Sequence, residues 1–204
     1  MKLPLHCSAL CALVIAASTA MAGTVEQATV IAEPQMQIKD GAIQGCGYRL
    51  KSIPQSLAGL TSVIILDTSF NIYAEGVALL KGGAVRVAVK AGAPGKAENR
   101  QIASFWMKAQ GEKPTKALNG KVIPGENQGY LLYGESIAAV AKLFDSVADG
   151  TPLTIGVRVK GEGIDRIYSG VAQLSDRDRN QGAECLSDLV KQMEADLEPK
   201  PSRQ

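Results

Sequence analysis

The stretch Leu153-Thr-Ile-Gly-Val-Arg-Val-Lys160 is followed by the turn residues Gly161-Glu162-Gly163. Every second position of this stretch is a large apolar residue, and the positions between are polar or small. This period of two is typical of a strand in a sheet with one buried face. The turn then leads into Ile164–Gln173, which is enriched in residues that favour strands. We therefore predict a hairpin between residues 153 and 173.

Further segments rich in Val, Ile, Tyr and Phe are separated by Gly, Pro and Asn residues that favour turns. Between two of them, Lys81-Gly82-Gly83 predicts a tight hairpin turn, because paired glycines supply the positive φ that such a turn needs. Residues 23–40 are polar and contain Pro34, so we predict an N-terminal arm or a short edge strand there. The other predicted strands are Ile43–Leu50, Leu60–Asp67, Ile72–Leu80, Ala84–Lys90, Asn99–Lys108, Lys116–Ile123 and Gly129–Tyr133.

Two segments have apolar residues at helical spacing. The first is residues 137–149, which follow Ser136 as the N-cap and end at Gly150. The second is residues 183–197, and we expect its apolar stripe to face the core. This stripe consists of Cys185, Leu189, Met193 and Leu197.

The chain shows no internal repeat and no linker that would divide it. We therefore predict one β-rich α+β domain over residues 41–197, built from mostly antiparallel sheets or a sandwich, with two helices and one disulfide. The tail at 198–204 contains two prolines and is expected to be disordered.

The first 22 residues have the pattern of a secretory signal peptide. They comprise a basic start at Met1-Lys2, an apolar run at 9–17 and the small-x-small sequence Ala20-Met21-Ala22. The apolar run is much shorter than the roughly 20 residues that span a bilayer. We expect signal removal, export to the periplasm or beyond the cell, and no integral membrane segment in the mature chain.

Composition narrows the chemistry that the mature protein can perform. The 204 residues are 46% apolar and 21% charged, and loss of 1–22 leaves 21 basic residues, 20 acidic residues, two cysteines and no histidine. A chain so close to neutrality is not typical of nucleic-acid binding. The absence of histidine excludes Ser-His-Asp and Cys-His hydrolysis and two-His zinc sites. We predict neither a catalytic residue nor a cofactor.

The two cysteines left after signal removal, Cys46 and Cys185, are predicted to form a disulfide, because exported proteins fold in an oxidising compartment. A disulfide that closes such a long loop stabilises the folded protein by at most about 5 kcal/mol. A reactive thiol or an intermolecular bridge is the alternative, although no Cys-x-x-Cys motif supports a redox role.

Two motifs resemble catalytic or nucleotide-binding sequences. Gly134-Glu135-Ser136 lies between a strand and a helix, as a nucleophile elbow does, but the fifth position is Ala138 and no histidine is left. We interpret Ser136 as a helix N-cap. Gly92–Lys96 lacks the first glycine and the hydroxyl residue of a phosphate loop, so we predict a surface turn there.

The segment around Asp176, Asp178 and Asn180 has oxygen ligands at alternate positions, which is the spacing of calcium loops. Its glycine falls one place late, and Ser187 stands where a bidentate glutamate is expected. A weak calcium site is therefore one hypothesis, and a self-neutralised loop that caps the following helix is the other.

Trp106 and Tyr133 are candidate binding residues, since an exposed aromatic ring can anchor a protein partner or stack on a sugar. Use of the same rings in the core is the alternative. Carboxylate chemistry also stays possible without histidine. Its candidates are Glu75, Glu135, Asp165 and Asp67, of which two would need to lie about 5 to 9 Å apart for glycoside hydrolysis.

These observations predict an exported, non-enzymatic binding or scaffolding protein of the bacterial cell envelope. We expect it to contact another envelope protein or an envelope component through a sheet face or edge. The alternatives are a carboxylate-dependent hydrolase of cell-wall glycan and a weak calcium-binding module.

Overall fold

The structure is a computed structural model and describes residues 23–90, 93–115, 121–122 and 129–197. The predicted signal peptide at 1–22 and the predicted tail at 198–204 lie outside the described residues. The described part of the chain forms the strands β1 (Val25–Lys39), β2 (Ala42–Pro54), β3 (Ser62–Tyr73), β4 (Ala78–Lys90), β5 (Ala93–Arg100), β6 (Ile102–Ala109), β7 (Lys121–Val122), β8 (Leu131–Glu135), β9 (Pro152–Val159) and β10 (Arg166–Gln173). It also forms the helices α1 (Ile137–Asp149) and α2 (Asp176–Leu197).

The ten described strands belong to one mixed sheet with the order β6-β9-β10-β1-β2-β3-β4-β8-β7, and β5 also pairs with β4. Among these pairs, β1 and β10 are parallel and the others are antiparallel. The second edge of β4 is shared, because β8 pairs with Ala78–Gly82 and β5 pairs with Ala84–Lys90. The sheet curls far enough for Phe105 of β6 to pack on Gly82 of β4. The predicted β-rich α+β class is confirmed, in the form of one curled sheet.

Strand β1 corrects the prediction for residues 23–40. They do not form an arm or a short edge strand, since β1 has 15 residues and lies inside the sheet between β10 and β2. Ala28, Val30 and Ala32 are buried at alternate positions and supply the driving force for this placement. Pro34 follows the last β1–β10 pair, Ile31 with Gln173. No described strand pairs with that edge beyond Ile31, so the missing N–H of Pro34 breaks no ladder there.

Strand β4 corrects the predicted turn at Lys81-Gly82-Gly83. The strand passes straight through both glycines, and neither has a positive φ. The turn between β3 and β4 lies earlier, where Tyr73 N donates to Val77 O at 2.8 Å and Gly76 has φ 73°. The predicted break between Asp67 and Ile72 is likewise absent, because β3 is continuous and its residues 66–72 are buried.

The predicted hairpin at residues 153–173 is confirmed as β9 and β10, which pair antiparallel from Arg166 with Val157 to Val171 with Pro152. The predicted alternation of apolar and polar residues in β9 is also confirmed. Its four apolar side chains, at 153, 155, 157 and 159, are completely buried. Gly161 in the connecting turn has φ 88°.

Helix α1 has the predicted bounds and caps. Ser136 Oγ accepts from Ala139 N at 3.2 Å, and Gly150 ends the helix in the left-handed conformation with φ 66°. Helix α2 begins at Asp176, seven residues before the predicted start at 183. Ser175 caps this earlier start, because its Oγ accepts from Asp178 N at 3.1 Å and donates to Asp178 Oδ2 at 2.7 Å.

Cys46 and Cys185 form the predicted disulfide, with their Cα atoms 5.8 Å apart. The bridge fastens α2 to β2 and is buried at both ends. Nearby, the rings of Tyr48, Phe70 and Phe144 contact one another between the sheet and the helices. We call the sheet face that carries Phe70 the inner face and the opposite one the outer face.

Candidate functional site

A groove of about 460 Å³ lies between α1 and α2. Its deepest lining residues are Tyr48 and Phe144, which are buried and have ring centroids 5.5 Å apart. The two helices supply the rest of the lining. The apolar members are Ala148, Ala183, Leu186 and Val190, and the polar members are Asp145, Arg179, Gly182, Ser187 and Lys191. This interhelical groove therefore has an apolar interior and charged side chains among its borders.

Helical spacing explains how the groove is lined. On α1, Phe144 and Ala148 are one turn apart and share a face. On α2, Ala183, Leu186 and Val190 follow one another at three and four residues, so they form a second stripe beside the core stripe of Cys185 and Leu189. Val190 is 45% exposed. Ala183 is exposed as well, whereas Leu186 is partly buried against the core, so the fold covers the second stripe only in part.

Gly182 allows the sheet to approach α2 closely. A Cβ at this position would overlap the Tyr48 hydroxyl. Glycine inside a helix costs about 1 kcal/mol relative to alanine, so this contact accounts for its presence. Burial raises the pKa of Tyr48.

Both walls of the groove are fixed to the rest of the fold. Cys185, between the lining residues Ala183 and Leu186, anchors α2 to β2 through the disulfide. Arg179 Nη1 donates to the backbone oxygens of Val147, at 2.9 Å, and Ala148. A cation at a helix C-terminus is favourable because the unpaired carbonyls there carry partial negative charge. The groove is therefore formed without a partner.

Among the carboxylates that we considered for catalysis, Asp67 is the most buried, and its oxygens are occupied. Arg49 donates to Oδ1 at 2.8 Å and to Oδ2 at 2.6 Å, and the Tyr130 hydroxyl donates to Oδ2 at 2.5 Å. Burial opposes ionisation, but the hydrogen bonds from Arg49 and Tyr130 outweigh it and lower the pKa of Asp67. A glycosidase general acid needs a raised pKa. Asp67 therefore behaves as a structural anion that joins β2, β3 and the residue before β8.

The other three carboxylates lie in separate settings. Asp165 accepts from Arg158 Nε at 2.6 Å and from Trp106 Nε1 at 3.2 Å. Glu135 accepts from the backbone N of its neighbour Ser136 at 2.8 Å, and Glu75 is exposed in the β3–β4 turn. None of the described contacts brings two of the four candidates together.

The two aromatic candidates differ in accessibility. Trp106 is half-buried on the outer face, where its ring lies over Gly156. Tyr133 is a core residue, whose hydroxyl donates to Phe105 O at 3.1 Å and lies 3.1 Å from Thr115 Oγ1. Burial raises the pKa of Tyr133 to about 12. Of the pair, only Trp106 has a ring that a ligand could reach.

The calcium candidates Asp176, Asp178 and Asn180 lie in the first turns of α2, so the predicted loop is wrong. Alternate residues on a helix point about 200° apart around the axis, and their side chains do not converge on one ion. Asp178 is used in the helix cap. Within the described ranges, no group of three or more His, Cys, Asp or Glu side chains is placed to hold a metal ion.

Two smaller predictions have mixed outcomes. Ser136 is the N-cap of α1, as the helix interpretation of the elbow motif requires. Of the predicted surface turn at Gly92–Lys96, residues 93–96 belong instead to β5, and Gly92 lies outside the described residues.

The interhelical groove was missed by the sequence analysis, although one signal for it was present. Ala183, Leu186 and Val190 repeat at helical spacing beside the predicted core stripe, and a helix with two apolar stripes has more apolar surface than one sheet contact covers. Its other wall depends on how α1 and α2 pack, which no local pattern encodes.

No protein-family model matches this chain, and no curated protein or solved structure matches it either. Any proposal for its function therefore depends on the geometry above.

Across the described residues, no helix is both long enough and apolar enough to cross a bilayer.

Proposed function

We propose that this is an exported, non-enzymatic binding protein of the bacterial cell envelope, which holds an amphipathic helix of another envelope protein in the interhelical groove. The observation that carries the proposal is the preformed apolar groove between α1 and α2. Amphipathic helices commonly bind in such grooves by inserting apolar side chains at i, i+3 or i+4 and i+7.

The charges around the groove indicate the chemistry of the partner. Arg179 and Lys191 lie among the lining residues against one acidic residue, Asp145, and Lys191 Nζ also donates to Asp188 Oδ1 at 2.9 Å on the exposed side of α2. A partner helix with acidic residues flanking its apolar stripe would complement this surface, since complementary charges favour the correct partner and speed the encounter.

The sequence predicts contact through a sheet face or edge, and the interhelical groove is better suited to a partner than the outer face of the sheet. Many polar side chains on the outer face already form hydrogen bonds or ion pairs with one another. Lys51 Nζ donates to Glu33 Oε1 at 2.8 Å, and Gln37 Nε2 donates to the Tyr73 hydroxyl at 3.2 Å. The Arg49–Asp67 pair lies on the same face. A partner there would have to replace existing contacts.

Export is supported by the Cys46–Cys185 disulfide, because structural disulfides persist in oxidising compartments. The signal peptide at residues 1–22 remains a prediction from sequence. The glycan-hydrolase and calcium hypotheses also remain predictions, since the contacts of the described candidate residues favour neither.

Site-specific photo-crosslinking in living cells tests the proposal. A photo-reactive amino acid replaces Leu186 in the groove, and in a second strain it replaces the outer-face residue Thr154. We expect a product with one defined envelope protein from position 186 and not from 154, with the cross-linked peptide belonging to an amphipathic helix. Absence of a product at 186, or equal products at both positions, would contradict the proposal.

A matched pair of substitutions tests the same site by affinity. Val190 and Val171 are 45% and 44% exposed, but only Val190 lines the groove. Val190→Glu is expected to weaken binding of the cross-linked partner about tenfold or more, as burial of a charge at an interface centre would. Val171→Glu is expected to leave binding unchanged. Equal effects of the two changes would show that the groove is not the binding surface.

A further inference from the structure

A second concave site lies at one open end of the curled sheet, on its inner face. This arginine cleft has a volume of about 270 Å³ and shares no lining residue with the interhelical groove. Its charged lining residues are Arg86, Arg100, Arg166, Glu26 and Glu162. The open end of a curled or closed sheet is a common location for ligand sites, because concave walls there meet solvent.

The three arginines of the cleft differ in their partners. Arg166 is committed to Glu162, with its Nε 2.9 Å from Oε2 and its Nη2 3.2 Å from Oε1. Within the described ranges, the partner of Arg86 is the neutral Ser62 Oγ, which accepts from Nε at 3.1 Å. Among the described residues, the Arg100 side chain has no ion pair or hydrogen bond. Two guanidinium groups are therefore available to a ligand.

The register of β4 and β5 brings these two groups to one place. Arg86 is opposite Glu98, and Arg100 is opposite Ala84, so the two arginines are diagonal neighbours on the same face. Diagonal neighbours in an antiparallel pair have Cα atoms about 7 to 8 Å apart, which long side chains easily bridge. Both guanidinium groups can thus contact one small anion.

The rest of the lining favours an anion over a cation. Tyr168 is buried, and its hydroxyl donates to Ile64 O at 2.8 Å. Burial raises the pKa of Tyr168 to about 12, so it adds no negative charge. With Glu162 paired to Arg166, the unpaired acid among the lining residues is Glu26, which is exposed. Glu98, opposite Arg86 in the β4–β5 ladder, is also exposed and does not line the cleft. Three arginines against two glutamates give the lining a net positive charge.

We propose that the arginine cleft binds a small ligand through an oxyanion, either a carboxylate or a phosphate, clamped between Arg86 and Arg100. Planar guanidinium groups recognise both anions through paired N–H donors. The cleft volume limits the ligand to a small molecule or a single anionic group of a larger one. This site is independent of the proposed helix binding, and either can fail without the other.

Titration of the purified protein with sodium phosphate, and separately with sodium acetate, tests the proposal. The arginine Nε–Hε signals are followed by NMR at constant ionic strength set with sodium chloride. We expect saturable shifts of the Arg86 and Arg100 signals with at least one probe. Tighter binding of phosphate would identify a phosphate ligand, and tighter binding of acetate would identify a carboxylate. Shifts that do not saturate with either probe would overturn the proposal.

Substitutions separate a built site from general charge attraction. Arg86→Gln and Arg100→Gln are each expected to weaken binding of the favoured probe about tenfold or more, as loss of a charged hydrogen bond does. Arg86→Lys keeps the charge but loses the paired N–H donors of the planar guanidinium group, so it should give an intermediate affinity. Arg177→Gln is the matched control, since Arg177 is exposed on α2, away from the cleft. Equal weakening by Arg177→Gln would overturn the proposal. An intact disulfide and an unchanged melting temperature verify that each variant is folded.

Discussion

Glycines in this protein occupy two opposite kinds of position. Gly161 lies in the β9–β10 turn with φ 88°, and a Cβ added there would meet nothing within 4 Å. Gly82 and Gly83 lie inside β4 without a positive φ, and an aromatic ring covers each of them. The turn needs glycine because its backbone has a positive φ. The strand needs glycine because an aromatic ring occupies the place of a Cβ. Glycine in a sequence therefore has two structural causes, and only the first predicts a turn.

Rings packed on strand glycines recur in this sheet. Tyr130 covers Gly83, Trp106 covers Gly156 and Tyr73 covers Gly45 on the outer face. Phe105 covers Gly82 on the inner face and so links β6 to β4, two strands that are not paired. With 4% aromatic residues, the chain uses a few rings to cover places where the backbone would otherwise be bare. The inner contact, together with the hydrogen bond from the Tyr133 hydroxyl to Phe105 O, joins the two ends of the curled sheet.

The Phe105–Gly82 contact is expected to produce the largest effect. Phe105→Ala removes a completely buried ring and should lower the free energy of unfolding by about 3 to 5 kcal/mol. Gly82→Ala should cost about 1 to 3 kcal/mol or more, because the new Cβ would lie 2.5 and 2.7 Å from the Cδ atoms of the ring. Urea unfolding of both single variants and of the double variant measures the coupling. We expect Gly82→Ala to cost much less once the ring is absent, and strictly additive effects would contradict the space argument.

The ring over Gly83 belongs to Tyr130, whose hydroxyl also donates a hydrogen bond to Asp67. The contribution of this hydrogen bond to stability depends on pH, because Asp67 titrates. Tyr130→Phe keeps the ring but removes the donor to Asp67, which should cost about 1.5 to 3 kcal/mol at pH 7. The lowered pKa of Asp67 means that its contribution is fully present above the unfolded-state pKa, near 3.8, and is lost as the pH falls through the lower folded-state pKa. Part of this contribution comes from Tyr130, so the difference between wild type and Tyr130→Phe should shrink in that acidic range.

Tyr168→Phe is the control for this pH dependence. Its hydroxyl donates to a backbone carbonyl, which does not titrate. Chemical unfolding of both variants from neutral pH down through the acidic range in which Asp67 of the folded protein takes up its proton gives the comparison. A Tyr130→Phe deficit that stays constant over this range would show that Asp67 is not the acceptor that matters.

The features that sequence could predict are local. The β9–β10 hairpin follows from a period of two beside a turn, and the bounds of α1 follow from Ser136 and Gly150. The disulfide follows from elimination, since removal of the predicted signal peptide would leave two cysteines. The start of α2 was also encoded, by Ser175 three residues before Asp178, but the calcium interpretation of the same residues obscured it.

The features that sequence could not predict depend on distant residues. The ring over Gly82 comes from position 105 and the ring over Gly83 from position 130, so no window around β4 reveals why it has two glycines. The interior position of β1 depends on pairing with β10, more than 130 residues later. The interhelical groove and the arginine cleft have the same origin, because each is lined by elements that meet only in the folded chain.

The turn glycine should give the smallest effect and completes the comparison. Gly161→Ala places a side chain in the left-handed region and should cost about 1 kcal/mol, although an added Cβ has ample space. Gly161→Asn should cost less, because asparagine tolerates that region better. Urea unfolding of Gly161→Ala in the Phe105→Ala background should show simple additivity, since no ring covers Gly161. If Gly161→Ala were coupled to Phe105 as strongly as Gly82→Ala is, the two kinds of glycine would not be distinct. Additivity here with coupling at Gly82 would instead show that conformational freedom and space are separate requirements.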